Sequence, residues 1–175
     1  MNKVIIMVGV PGSGKSTLIK KQRKECPLVT VSADYYPGLY DAEGKFHIEH
    51  LAAAHQTCLK EFTALVTADK GKGLAPELLM VDNTNSTVLE AAPYISLALA
   101  YGWDVGIAIL KCPTDIAYER NVHGVPQARI EAMAANIEAQ WPGALPWHWR
   151  PENEPRISID LLNGVTGELF EGEER

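Results

Sequence analysis

GVPGSGKST, Gly9 to Thr17, follows directly on the apolar run VIIMVG, which shares its Gly9. A short run that is β-branched and apolar on both faces reads as a strand buried in a parallel sheet. From Lys15 to Cys26 the pattern turns helical and stops before Pro27. Three glycines, a lysine and three hydroxyls therefore stand where a strand hands over to a helix, in the pattern Gly-x-x-x-x-Gly-Lys-Ser. The physics of anion binding asks for these residue types. Gly9, Pro11, Gly12, Ser13 and Gly14 form a loop whose backbone N–H groups turn inward on phosphate oxygens, and glycine permits the required backbone angles. The helix starting near Lys15 aims its positive dipole end at the same anion. Lys15 supplies a mobile charge for β- and γ-phosphates, the Ser16 hydroxyl can ligate Mg²⁺, and Thr17 can reach the α-phosphate. A chance glycine-rich turn would not carry this strand-before, helix-after context.

Outward from the loop, strands and helices alternate. LVTVS (28–32), ELLMVD (77–82), WDVGIAILK (103–111) and RISIDLL (156–162) read as further strands. FHIEHLAAAHQTCLKEFTALVTADK (46–70) reads as one long helix with an apolar face. Thr87 and Glu90 have capping-box spacing for a helix reaching Tyr101, although Pro93 inside that span offers a later start. A short helix at PTDIAYERN and another at 127–140, with Pro126 at its entrance, complete the series. NGVTGELFEGEER closes the chain as a hairpin or a frayed tail. The alternation predicts an α/β chain with a mostly parallel sheet and helices on both faces, the P-loop nucleoside-triphosphate hydrolase or kinase fold. Ligands then bind beyond the carboxyl ends of the strands. The expected organisation is a single domain over 1–175, with a lid at about 114–127, an irregular Trp/Pro-rich segment at 140–155, and a final strand and tail at 156–175.

Composition narrows the classes. A chain of 175 residues with 46% apolar and 22% charged residues can bury an ordinary core. Net charge is −6, which disfavours binding long duplex DNA by bulk electrostatics but leaves room for a local basic groove. The three cysteines, Cys26, Cys58 and Cys112, are odd in number and far apart, so neither a disulfide framework nor a zinc spacing follows. No apolar stretch approaches membrane-spanning length, so no membrane is expected as a partner. The expected location is the cytoplasm, or the host cytoplasm if the chain is phage-encoded.

Three classes share the phosphate loop: GTP-driven switches, ATP-driven motors and small-substrate kinases. The guanine-reading Asn-Lys-x-Asp and the transporter signature Leu-Ser-Gly-Gly are both missing. A kinase needs a carboxylate near the γ-phosphate to accept or orient the acceptor's proton. SADYYPG puts Asp34 just past the second strand, beside the loop; the alternative is an Asp that caps its own turn. MVDNTNST ends the third strand with Asp82, placed to hold Mg²⁺. Asn83, Thr84 and Asn85 follow as a polar substrate floor or as Asx-turn residues. DIAYERNVHGVP carries Arg120 at a helix end, where it can stabilise the transferring phosphoryl group or pair with a carbonyl or Glu119. His123 reads as a turn residue hinging that lid with Gly124. The catalytic candidates are thus Asp34, Lys15 and Arg120.

Taken together, GVPGSGKST, SADYY, VDNTN, YGWDV and RNVHGVP…IEAM resemble the kinase domain of phage 5′-polynucleotide kinase. They look still more like the small ATPases and kinases of the NEDD4-binding-protein-2 group. The likeness runs from about Met1 to Gln140. It implies an ATP-dependent transfer to a hydroxyl of a nucleic acid or nucleotide. By that likeness Lys15, Ser16 and Thr17 hold ATP phosphates and Asp34 is the general base. Asn83, Thr84 and Asn85 overlie an Asp-Thr-Asn segment, and Arg120 matches a lid arginine. The departures are specific. A substrate-binding arginine expected after the base is replaced by Tyr36-Pro37-Gly38, the lid is shorter and less basic, and no phosphatase half is visible. The acceptor is then a 5′-OH of DNA or RNA, or the hydroxymethyl group of 5-hydroxymethyluracil in DNA, as in a related phage class. A small-molecule kinase and a nucleotide-binding adaptor that transfers nothing remain as further readings.

Aromatic side chains bear on the acceptor. Tyr35, Tyr36 and Tyr40 lie near the proposed base, and Trp141, Trp147, His148, Trp149 and Arg150 crowd one proline-rich loop. Aromatic faces receive unstacked bases at roughly 1–3 kcal/mol each; tryptophans in an irregular loop equally often cover a sheet edge. His55 can line the acceptor pocket if the long helix packs over the cleft. His47, His50 and His55 lack the partners for a tetrahedral metal site.

Overall fold

A computed structural model describes residues 2–168. The strands are β1 (Lys3–Val8), β2 (Val29–Val31), β3 (Leu78–Val81), β4 (Asp104–Lys111) and β5 (Ile157–Asn163). The helices are α1 (Lys15–Glu25), α2 (Leu51–Val66), α3 (Val88–Ala100), α4 (Thr114–Arg120) and α5 (Gln127–Gln140). The five strands are ordered β2-β3-β1-β4-β5 and every pair is parallel. β1 is central because its side chains are buried on both faces: Val4, Ile6 and Val8 on one, Met7 on the other. Chain order reverses across β1, so its carboxyl end opens a crevice between β3 and β4. The phosphate loop leaves from that point.

Helices cover both faces, unequally. α1 alone shields Met7, Met80, Ala108 and Leu110, through Leu18 and Ile19. The opposite, larger core is closed by α2, α3, α4 and α5 around Phe62, Tyr94, Ile95, Trp103, Ala117 and Ile130. Trp103 is fully buried without an orphaned donor, since its Nε1 donates to the Val66 carbonyl at 3.0 Å. Among the described residues no helix is long and apolar enough to cross a membrane.

One boundary differs from that expected, and one that the sequence left open is decided. The long helix starts at Leu51, after a 3-10 turn over Ile48–His50, not at Phe46. Phe46 instead forms an antiparallel bridge with Tyr40, and the His47 N–H is taken by the Leu39 carbonyl at 2.9 Å. Tertiary pairing thus overrides a helical pattern at its N-terminus. Pro93 lies inside α3, whose start is the earlier one at Val88. The capping box is complete: the Glu90 N–H donates to Thr87 Oγ1 at 3.3 Å and the Thr87 N–H to Glu90 Oε2 at 3.2 Å. It secures the first turn against the donor that proline removes. The final strand turns back at Asn163, whose Oδ1 accepts from the Val165 N–H at 2.8 Å; the tail expected over 169–175 lies outside the described residues. Thr87→Ala is expected to cost about 1 kcal/mol, a drop in melting temperature of about 2–4 °C, read by calorimetry.

Candidate functional site

The loop folds as a cradle because two of its residues carry left-handed backbones, Gly12 at φ 80° and Gly14 at φ 97°. Neither has space for a side chain. A Cβ on Gly12 would run into the Ala117 carbonyl of α4, and one on Gly14 would come within 2.6 Å of the Gly164 carbonyl. The cradle is also braced from behind. The Gly9 N–H donates to the Thr84 carbonyl at 3.0 Å. Ser13 is fully buried with its hydroxyl unpartnered, beneath the loop and not on its open side.

Lys15 Nζ folds over the cradle onto the Gly9 and Val10 carbonyls, at 2.8 and 3.0 Å. Enclosure holds its ammonium below the usual lysine range, while the carboxylates of Asp82 and Asp34 push it back up. Asp82 mirrors it. Burial raises its carboxyl and neighbouring Asp34 adds to that, whereas Lys15 and, to a smaller degree, His123 oppose them. Ser16 and Asp82 line the same cleft as Asp34. Hydroxyl and carboxylate oxygens are the donors Mg²⁺ takes, and one or two from protein are enough when phosphates supply others. The residues present fit that ion.

Asp34 sits in a 3-10 turn, Ala33–Tyr35, started by Ser32. Ser32 Oγ accepts from the Asp34 N–H at 3.2 Å and donates to the Asp82 carbonyl at 2.7 Å, so one hydroxyl ties the tips of β2 and β3 together. The Asp34 side chain is 48% exposed and lines the cleft with the loop. Its Oδ1 accepts from the Tyr40 hydroxyl at 3.3 Å. Burial, and then the charge of Asp34, hold the Tyr40 phenol protonated well above its usual range. Arg120 Nη1 donates to the Gly164 carbonyl at 3.4 Å, and its guanidinium also lines the cleft.

Of the remaining expected residues, Thr17, Pro11, Thr84 and His55 line the cleft. Asn83 and Asn85 also reach its wall, but their side chains serve the framework. Asn83 Oδ1 accepts from the Ala33 N–H at 2.9 Å, while Nδ2 donates to Tyr94 Oη and Cys58 Sγ. Asn85, at φ 45°, donates from Nδ2 to the Met7 carbonyl at 2.8 Å. Tyr35 and Tyr36 stand outside the lining: Tyr35 is 58% exposed, and the Tyr36 ring faces His50 at 6.4 Å. The turn leaves Ala33 and Asp34 on the cleft, while Tyr35 and Tyr36 leave it. Within 141–150, Trp141 is buried with Nε1 on the Asn85 carbonyl at 3.0 Å, and none of that segment lines the cleft.

Several lining residues were not singled out as site residues by sequence. Asn163 ends β5 and Gly164, Val165 and Thr166 follow it, with Gly164 packed on the loop, and Asn-Gly at the carboxyl end of a strand is a usable signal. Tyr40, Phe46, Ile48 and Arg129 join from elsewhere. The cleft holds about 1570 Å³, more than the roughly 300–1,000 Å³ of a single-ligand pocket. The sheet order divides it at β1: β4, β5 and Arg120 on one side, β2, β3 and Asp34 on the other.

A five-stranded parallel sheet with this cradle defines a P-loop protein of kinase-like fold. The chain belongs to the family described as the AAA domain, which matches residues 4–140. It is 27% identical over 145 residues to NEDD4-binding protein 2 of Homo sapiens, covering 77% of this chain and 8% of that protein. The chain thus spans under a tenth of that relative's length. In fold it is similar to a chain of the Pnkp1/Rnl/Hen1 RNA repair complex, at TM-score 0.62 and 19% identity, covering 79% of this chain and 44% of the other. It is also similar to a chain of the PezAT chromosomal toxin–antitoxin system of Streptococcus pneumoniae, at TM-score 0.61 and 16% identity, covering 99% and 74%.

Two substitutions separate cradle from brace. Lys15→Ala is expected to weaken ATP binding about tenfold or more, while its melting temperature without nucleotide falls less than that of the brace variant below, because relief of the enclosed ammonium offsets part of the loss of two carbonyl bonds and of the charge that supports Asp82. Asn85→Ala removes a buried donor and leaves a strained backbone, so its melting temperature falls by about 4–10 °C. Calorimetry with and without ATP reads both.

Proposed function

We propose that this chain is an ATP-dependent kinase that transfers the γ-phosphoryl group to a hydroxyl of a nucleic acid, DNA or RNA, with Mg²⁺. The observation that carries this reading is the Asp34 carboxylate, exposed on the same cleft as Lys15, Ser16 and Asp82. Asp34 takes the acceptor's proton, the acceptor oxygen bonds to the γ-phosphorus, and the bond from that phosphorus to the β–γ bridging oxygen breaks to release ADP. Lys15 and Arg120 stabilise the charge on the phosphoryl oxygens in flight. Ser16 and Asp82 would hold Mg²⁺, which would supply neutralising positive charge to the phosphates. Residues 1–175 act as one domain with α4 and the following turn as its lid, working in the cytoplasm.

A nucleic-acid acceptor is supported by the likeness to a chain of an RNA repair complex and by the rings of Tyr40 and Phe46 on the acceptor side. The charges on that side favour a second reading of where the hydroxyl sits. Apart from Lys15, Lys20 and Lys21 of α1 and Arg120 of the lid, the charged lining is Asp34, Asp82 and Glu90 against Arg129. A wall with that balance suits a hydroxyl on an uncharged base, such as 5-hydroxymethyluracil in DNA, better than one flanked by phosphates.

Labelled ATP with three acceptors tests this. They are a 5′-OH oligonucleotide, a 5′-phosphorylated oligonucleotide containing 5-hydroxymethyluracil, and a mixture of metabolite alcohols. Label on either oligonucleotide is the expected result, and which one takes it decides the hydroxyl. Label on metabolites only indicates a small-molecule kinase. ATP bound with no product indicates an adaptor. Asp34→Asn is expected to lower transfer by about 10²–10⁴-fold while ATP affinity stays within a few-fold. Full turnover in that variant would remove Asp34 as the base.

A further inference from the structure

The turn after α4 meets the carboxylate on which the proposed reaction depends. His123 Nε2 stands 4.0 Å from Asp34 Oδ2, and its ring lies 4.9 Å from the ring of Tyr40 at a tilt of 31°. Tyr40 in turn donates to Asp34 Oδ1. Asp34 comes from the tip of β2, Tyr40 from the bridged loop before α2, and His123 from the lid. Three separate segments converge on one carboxylate, and both of its oxygens are addressed.

The lid turn is built to hold this pose. Asn121 Nδ2 donates to the Val125 carbonyl at 2.8 Å, and Asn121 Oδ1 accepts from the His123 N–H at 3.1 Å, so one amide spans both ends of the turn. Gly124 completes it at φ 63°. The loop under Tyr40 is likewise fixed, by the Tyr40–Phe46 bridge and rings 5.6 Å apart. Arg120 begins the same turn on the nucleotide side of the cleft, three residues before His123.

We propose that His123 and Tyr40 are positioning residues. They dock the lid onto Asp34 and fix its carboxylate so that Oδ2 faces the acceptor hydroxyl. The inference rests on the kinase reading above. Tyr40 occupies Oδ1 as a donor and leaves Oδ2 to accept the acceptor's proton. A separation of 4.0 Å between Nε2 and Oδ2 is too long for a direct hydrogen bond. His123 therefore flanks the oxygen that must take the proton without consuming it. Its ring, seated on Tyr40, keeps the phenol on Oδ1. Lid closure and alignment of the base become one event, and a misaligned base is costly because transfer depends on reacting atoms held in register.

The test is steady-state transfer of labelled phosphate to the oligonucleotide that the wild-type chain labels. His123→Ala and Tyr40→Phe are each expected to lower kcat about 10–100-fold, with KM for ATP changed less than threefold. His123→Phe, which keeps a ring over Tyr40, recovers part of the loss. The double variant costs about as much as the worse single one, because both act through the same carboxylate. A raised KM for ATP with kcat unchanged would mean that the lid serves the nucleotide only. Independent, multiplying losses would mean that the two side chains do not share a task. Either outcome overturns the proposal. Nuclear Overhauser contacts between the His123 and Tyr40 ring protons in the protein alone are expected too, and their absence also overturns it. A wild-type chain that shows the contacts but labels no acceptor refutes the kinase reading, and with it the role of the contacts in transfer.

Discussion

The site depends on the turn that ends β3. Asp82 to Asn85 hold three strand tips at fixed separations: the Asp82 carbonyl takes the Ser32 hydroxyl from the tip of β2, Asn83 clasps the Ala33 N–H beside it, and Thr84 and Asn85 bind the Gly9 N–H and the Met7 carbonyl of β1. Buried amides with no water to replace their partners are costly to misplace. The cradle and the carboxylate of Asp34 therefore stand at a distance set by short polar side chains and not by loop flexibility. Tyr94 and Cys58 complete the clasp from α3 and α2, which fixes the turn to the larger core as well.

That brace explains the charge arrangement. A half-buried lysine and a half-buried carboxylate on the same cleft would each prefer to lose charge, yet each supports the other's ionised form. The pair is kept close because the backbone of β1 and β3 keeps it close. A polyanion entering the cradle meets Lys15 already desolvated, where its charge acts through a low local dielectric.

The sequence was legible where chemistry is local. The cradle could be read because backbone angles, helix dipole and lysine all fall within nine residues, and the parallel sheet followed from the alternation of strands and helices. The inward aim of Asp34 was legible from its place at a strand end. What could not be read was the direction of Tyr35 and Tyr36, because a single 3-10 turn sends them away while a bridge to Tyr40 brings Phe46 back, ten residues after Tyr36. Asn83 and Asn85 looked like a floor for substrate, and only the contacts reveal them as ties. His123 read as a bare hinge residue since nothing in RNVHGVP announces that Tyr40, eighty-three positions earlier, lies across from it. The turn after β5 was obscured by its place near the chain's end.

The excursion from Tyr36 to His50 hangs from the edge strand β2 and meets Asp34 and the lid through Tyr40. The anion-gripping part is built on the sheet's centre. Heritable change can therefore rewrite the excursion, residue by residue or as a whole cassette, without disturbing the grip on the phosphate donor. A lineage carrying this scaffold can change its customers while keeping its currency.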